Sequence, residues 1–199
     1  MDASAPTTDS RTVLVAYATS EGQTRAVAER IAVVADRRGA ETTLVNLDSP
    51  HAEMDPASFD AVFVGGSVHG GSHQKSVSEF VGNYRAALRS VPTGFFSVSL
   101  SAASDDPEIR EKAEEYVERF TADARWSPDR TATVGGALKY SEYGFLKRFV
   151  MRKIVSKMGG DADPRRDYEY TDWATVERFA EEVLDLAAVS SVSRTGARE

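Results

Sequence analysis

The run Thr19-Ser20-Glu21-Gly22-Gln23-Thr24 places three hydroxyl side chains and a glycine directly after a β-branched apolar stretch. Where such a loop opens a helix, backbone N–H groups and the positive end of the helix dipole can hold a phosphate without Lys or Arg. Thr19, Ser20 and Thr24 would add hydroxyl donors. The loop is no Walker motif, because the Gly-Lys-Ser/Thr ending is missing, and no dinucleotide fingerprint, because Gly22 is its one glycine. Ser and Thr also cap ordinary helices, so the loop carries weight only together with others.

Two further segments have the same small-residue character. Gly65 to His73 (GGSVHGGSH) has four glycines, and its backbone could approach a flat ligand closely; Ser67, Val68, His69 and Gly70 are the candidates there. Ser97 to Ser104 (SVSLSAAS) offers Ser99, Leu100, Ser101 and Ala102, whose peptide groups could face the edge of an aromatic ring. Three such loops at one sheet edge favour a flavin mononucleotide over a bare sugar phosphate. Taken singly, His69 and His73 are solvent-exposed turn residues. No side chain stands out as a catalytic group.

The elements that must position these loops alternate along the chain. Thr12 to Ala18 is a short apolar strand, and Val27, Ile31, Val34 and Ala35 mark a helix that stops at Gly39. Strands follow at Thr42 to Leu47 and Ala61 to Gly65. A second helix carries Val77, Phe80, Val81, Tyr84 and Leu88 on one face. Gly94 to Leu100 is the fourth strand, Pro107 opens a helix reaching about Ala124, and Thr131 to Leu138 is the fifth strand. A last helix starts at an Asp172 N-cap and ends near Ala188, with a loose tail from Ser190 to Glu199; Met1 to Ser10 is likewise expected to be flexible. Strands alternating with helices require right-handed crossovers and a parallel sheet covered on both faces. The expectation is a five-stranded, three-layer α/β sandwich spanning 11–189, with an insert at about 139–170; periodicity does not give the strand order, although the order 2-1-3-4-5 would need this number of units.

Composition narrows the chemistry. The chain has 199 residues, 24 Lys+Arg against 31 Asp+Glu, a net charge of −7, no cysteine and three histidines. One domain is the default at this length. Disulfides, thiolate metal sites and a cysteine nucleophile are excluded, and no metal is expected. The acidic balance argues against nucleic acid as a partner. Met1 to Ser10 is polar and acidic, unlike a secretory signal, so a cytoplasmic location is expected.

One segment breaks the acidic trend. From Phe145 to Met158, large apolar residues interleave with Lys147, Arg148, Arg152, Lys153 and Lys157, without a single acid. A basic amphipathic helix suits an anionic lipid surface or a partner, or else covers the sheet and solvates its polar face; the sequence leaves both open.

Several runs carry a resemblance. Thr19 to Arg25, Phe96-Ser97-Val98-Ser99-Leu100, Trp126-Ser127-Pro128-Asp129-Arg130, Gly135 to Tyr140, Lys157-Met158-Gly159-Gly160 and Tyr170-Thr171-Asp172-Trp173 resemble the flavodoxin-related, menaquinone-dependent protoporphyrinogen dehydrogenases. The resemblance spans nearly the whole chain, and the basic helix and the Tyr-Thr-Asp-Trp run separate it from ordinary flavodoxins. It implies a flavodoxin-like fold, one FMN with its phosphate in Thr19 to Thr24, and an isoalloxazine between Ser67–Gly70 and Ser99–Ala102. It further implies oxidation of protoporphyrinogen IX in three two-electron rounds, as in haem biosynthesis, with a quinone as acceptor. The insert, with Tyr140, Tyr143, Lys147, Arg148, Arg152, Lys153 and Lys157, would admit porphyrinogen and dock on the inner face of the cell membrane. The run His69-Gly70-Gly71-Ser72-His73 departs from the family pattern of basic and aromatic residues. Alternative expectations are an electron carrier, an FMN quinone reductase of the same fold, and a membrane-surface adaptor without flavin. Homo-oligomerisation is left open.

Overall fold

The computed structural model describes residues 10–138 and 168–195. Its centre is a parallel sheet of β1 (Thr12–Ala18), β2 (Glu41–Asn46), β3 (Ala61–His69), β5 (Thr93–Ser99) and β6 (Arg130–Gly135), in the order β2-β1-β3-β5-β6. The two-residue strand β4 (Ser72–His73) folds back antiparallel on the end of β3. With β4 set aside, the order is the expected 2-1-3-4-5; with it, the sheet has six strands rather than five. Helices α1 (Gln23–Arg37), α2 (Lys75–Leu88), α3 (Pro107–Ala124) and α4 (Trp173–Thr195) cover it.

Successive side chains of a strand point to opposite faces, so a strand buried on both sides must be apolar throughout. β1 shows this: Val13, Val15 and Tyr17 join the core under α1 and α4, while Leu14, Ala16 and Ala18 join the core under α2 and α3. Ile31 of α1 and Phe179 and Val183 of α4 fill the first layer with Phe63 and Phe96. Phe80, Phe120 and Trp126 fill the second with Phe95.

Register is pinned at the sheet's amino-terminal edge by two aspartates in equivalent positions. Asp60, just before β3, accepts from Thr12 N–H at 2.9 Å, and Asp129, just before β6, accepts from Thr93 N–H at 2.7 Å. Each fixes the start of a strand to the chain entering its neighbour. Asp172 caps α4 as expected, accepting from the N–H groups of Ala174 (3.1 Å) and Thr175 (3.3 Å).

Three expectations about the elements change. The fifth strand ends at Gly135, and Ala137–Leu138 leaves the sheet to become β7, paired antiparallel with β8 (Tyr168–Glu169). A Cβ on Gly135 would lie 2.5 Å from the Tyr170 carbonyl oxygen, so the returning chain packs directly against this backbone. The ribbon β7–β8 brings Leu138 and Tyr168 into register, so the insert leaves and rejoins the fold at one place. The last helix continues to Thr195, through the first part of the tail expected to be loose. Finally, Tyr84 interrupts α2 with φ −108° and ψ 18°, so the expected apolar face belongs to a kinked helix. The basic segment Lys139 to Lys157 lies outside the described residues.

Candidate functional site

The carboxyl edge of the sheet gathers the three loops. Gly22 ends the first in the left-handed region, with φ 85°, and α1 starts without a side-chain cap. Its first-turn N–H groups therefore point out of the helix towards whatever lies over the loop, with the dipole behind them. Thr19 Oγ1 accepts from Gly22 N–H at 3.0 Å, and Asp48 accepts from Thr19 N–H at 3.0 Å and from the Ser76 hydroxyl at 2.7 Å. The loop is thus held by the chain's own hydrogen bonds. Thr24 Oγ1 is fully buried yet has no hydrogen-bond partner, a loss of about 1–3 kcal/mol for a native hydroxyl. Arg25, the nearby cation, is exposed and paired with Glu29 at 2.8 Å.

The second segment, a glycine-rich loop that could either approach a ligand or simply turn, is a hairpin. Ser67, Val68 and His69 continue β3, and Gly70 and Gly71, at φ 58° and φ 83°, make the two-residue turn. Two consecutive positive φ values match the twist of a tight hairpin, which explains Gly-Gly there without invoking a ligand. His69 is exposed as expected. His73 is not: its ring packs 4.9 Å from Phe120 and 5.3 Å from Phe95, and Nε2 lies 2.8 Å from Ser97 Oγ. Burial first, and the Arg119 charge second, push its pKa down to about 4. The unfolded chain therefore takes up the His73 proton between pH 6.5 and about 4 while the folded chain does not, and stability falls as pH drops through that window. The expected loss is on the order of 3 kcal/mol, read by urea unfolding at pH 7 and pH 4. His73→Phe should flatten this dependence, and an unchanged profile in that variant would assign it elsewhere.

The third segment, Leu100 to Ser104, winds into a 3₁₀ turn at Ser101–Ala103, with Ala102 N–H bonded to Ser99 Oγ at 3.2 Å. Ser99 also accepts from Gly136 N–H at 3.0 Å.

Two residues that sequence reasoning missed tie the loops together. Gln74 bonds Ser67 through both ends of its amide, accepting from Ser67 N–H at 3.0 Å and donating to the Ser67 hydroxyl, and it reaches Ser20 Oγ at 3.4 Å. Thr171 receives Gln23 Nε2 at 2.7 Å and donates to the Gly135 carbonyl at 2.8 Å. Loop one is thus joined to the hairpin by Gln74 and to the neck of the insert by Thr171. Thr171 stood in a quoted motif, but nothing in its type signals this role. A lone Gln at the start of a helix carries no signal at all.

A sheet of this order with a hydroxyl-rich loop opening α1 defines a class. The chain belongs to the flavodoxin domain family, whose model it matches over residues 14–165. It is also 34% identical over 176 residues to protoporphyrinogen IX dehydrogenase [quinone] of Escherichia coli (strain K12), covering 87% of this chain and 94% of that protein. The Leishmania major protein of the same name is 29% identical, over 87% of this chain and 74% of its own length. Among solved structures, a short-chain flavodoxin associated with a non-canonical PDU bacterial microcompartment matches with TM-score 0.56 at 14% identity, covering 89% of this chain and 99% of that chain. Oxidised flavodoxin 1 from Bacillus cereus matches with TM-score 0.52 at 15% identity, covering 87% and 97%. These two show the fold alone.

FMN is the cofactor of this domain, and the residues fit it. The orphaned Thr24 hydroxyl, the uncapped start of α1 and the left-handed Gly22 are donors and a turn that would suit its phosphate. The hairpin end Ser67–His69 and the turn Ser99–Ala102 supply the peptide groups that would flank the ring.

Proposed function

We propose that the chain dehydrogenates protoporphyrinogen IX with FMN as cofactor and passes the electrons to a quinone. The observation that carries this reading is the 34% identity extending over 94% of a protoporphyrinogen IX dehydrogenase, against 14–15% to the flavodoxins that share its fold. Bound FMN supplies the two-electron chemistry. The chain's own residues hold and orient it: Thr19, Ser20, Gly22 and Thr24 at the phosphate, with Glu21 and Gln23 completing that loop, and Ser67 to Gly70 and Ser99 to Ala102 beside the ring.

An FMN quinone reductase fed by a nicotinamide would have the same FMN site. Stopped-flow mixing of the oxidised flavoprotein with protoporphyrinogen or with NADPH, both anaerobic, separates the two. Bleaching of the flavin band by the porphyrinogen alone is the expected result, and bleaching by NADPH alone would replace this reading with the reductase.

Within the proposal, the acceptor is menaquinone and the insert meets the membrane. Support comes from the acid-free run of Lys147, Arg148, Arg152, Lys153 and Lys157 among large apolar residues, with Tyr140 and Tyr143 leading into it. Each such cation is worth about 1 kcal/mol near an anionic bilayer. Changing Lys147, Arg148, Arg152 and Lys153 together to Gln should therefore lower partition into phosphatidylglycerol vesicles at low salt by about 100-fold or more. Equal sedimentation of both proteins with the vesicles would remove the membrane from the account. No helix among the described residues is long and apolar enough to cross a membrane.

A further inference from the structure

We propose that the crevice between α2 and α3, beneath the β3–β4 hairpin, binds a small organic monocarboxylate between the guanidinium groups of Arg85 and Arg119. The crevice has a volume of about 330 Å³, and both arginines line it. It lies on the α2–α3 side of the sheet, whereas the proposed phosphate site opens α1 on the other side.

Arg85 is the reason to look for a ligand. Its Nε is buried and has no hydrogen-bond partner, and among the described residues no carboxylate lies within ion-pair distance of it. Arg85 as a whole is half-buried, but a buried N–H left without an acceptor costs about 1–3 kcal/mol, and a carboxylate supplies two oxygens matched to the guanidinium fork. Arg119 is already oriented: it donates to the Gly71 carbonyl at the hairpin turn, and its Cζ sits 5.5 Å from the centre of the Tyr116 ring.

The lining selects the class of ligand. Two arginines and Asp123 leave one net positive charge, which suits a monoanion better than a phosphate dianion. Tyr116 and Phe120 make an apolar wall for the body that carries the carboxylate. The α2 wall of the crevice is locally irregular. Gly82 lines it, a Cβ there would meet nothing within 4 Å, and the backbone departs from helical angles two residues later, at Tyr84. Glycine inside a helix is unfavourable relative to alanine, and an irregular turn beside it adds to that.

The test is calorimetric titration of the full-length, FMN-loaded protein with benzoate, its neutral analogue benzamide and inorganic phosphate, alongside the Arg85→Gln and Gly82→Leu variants. Saturable benzoate binding is expected, at least tenfold tighter than phosphate, with none for benzamide. Arg85→Gln should weaken benzoate at least tenfold and leave FMN affinity unchanged. Gly82→Leu, whose added atoms enter open space, should block benzoate by filling the crevice and keeps the test intact should the arginine variant fail to fold. Absence of benzoate binding overturns the proposal, as do benzamide or phosphate binding equally well and benzoate affinity unchanged in the folded variants. None of these readouts depends on turnover, so they stand apart from the proposed reaction.

Discussion

Gly22→Val lowers FMN affinity by about 100-fold, on the order of 3 kcal/mol, while the chain still folds. The glycine sits at φ 85°, where a β-branched residue costs about 1–2 kcal/mol, and relief of that strain would swing the start of α1 away from the phosphate position proposed above. Thr24→Val is the sharper companion. It keeps the side-chain volume and removes a buried hydroxyl that has no partner in the protein, so FMN-free protein should be as stable as wild type or more so. FMN affinity should nevertheless fall about tenfold, the worth of one hydrogen bond to a charged oxygen. Fluorescence titration of the FMN-free protein, with thermal melts of each variant, reads both effects. Unchanged affinity in both variants would move the phosphate away from this loop.

Gly65→Val destabilises the fold by about 3 kcal/mol, lowering the melting temperature by roughly 6–12 °C, with or without cofactor. A Cβ at Gly65 would lie 2.0 Å from the Phe96 ring, which is itself fully buried between β3, α1 and α4 and cannot rotate away. The comparison with Gly70→Ala is instructive, because a Cβ there meets nothing within 4 Å and its cost comes only from φ 58° at the hairpin turn. The same glycine-rich stretch thus holds two different requirements, one of packing and one of backbone conformation. Differential scanning calorimetry of both variants checks the order; a Gly65→Val protein melting with wild type would mean that Phe96 has room elsewhere.

Much of this architecture is legible in residue order because it depends on local pattern. Val13 to Ala18 is apolar at every position, as a strand buried on both faces requires, and the structure places β1 at the expected Thr12–Ala18. Pro107 after Asp106 sets the start of α3 equally well, with Asp106 accepting from Glu108 N–H at 3.0 Å. What resisted reading depends on partners distant in sequence. His73 looks like a loop histidine until Phe95 and Phe120 close on it. Gln74 and Thr171 acquire their bridging roles only when β3, α1 and the neck of the insert come together. Arg85 likewise has no local signal, since nothing in α2 foretells that α3 will bury its Nε without a partner.

The most direct measurement of the central claim is anaerobic incubation of the FMN-loaded protein with protoporphyrinogen IX and a menaquinone analogue, followed by porphyrin fluorescence. The account predicts porphyrin formation only when protein and quinone are both present, with the flavin band near 450 nm recovering as quinone is added. A full flavin spectrum with no porphyrin above the protein-free control would contradict it.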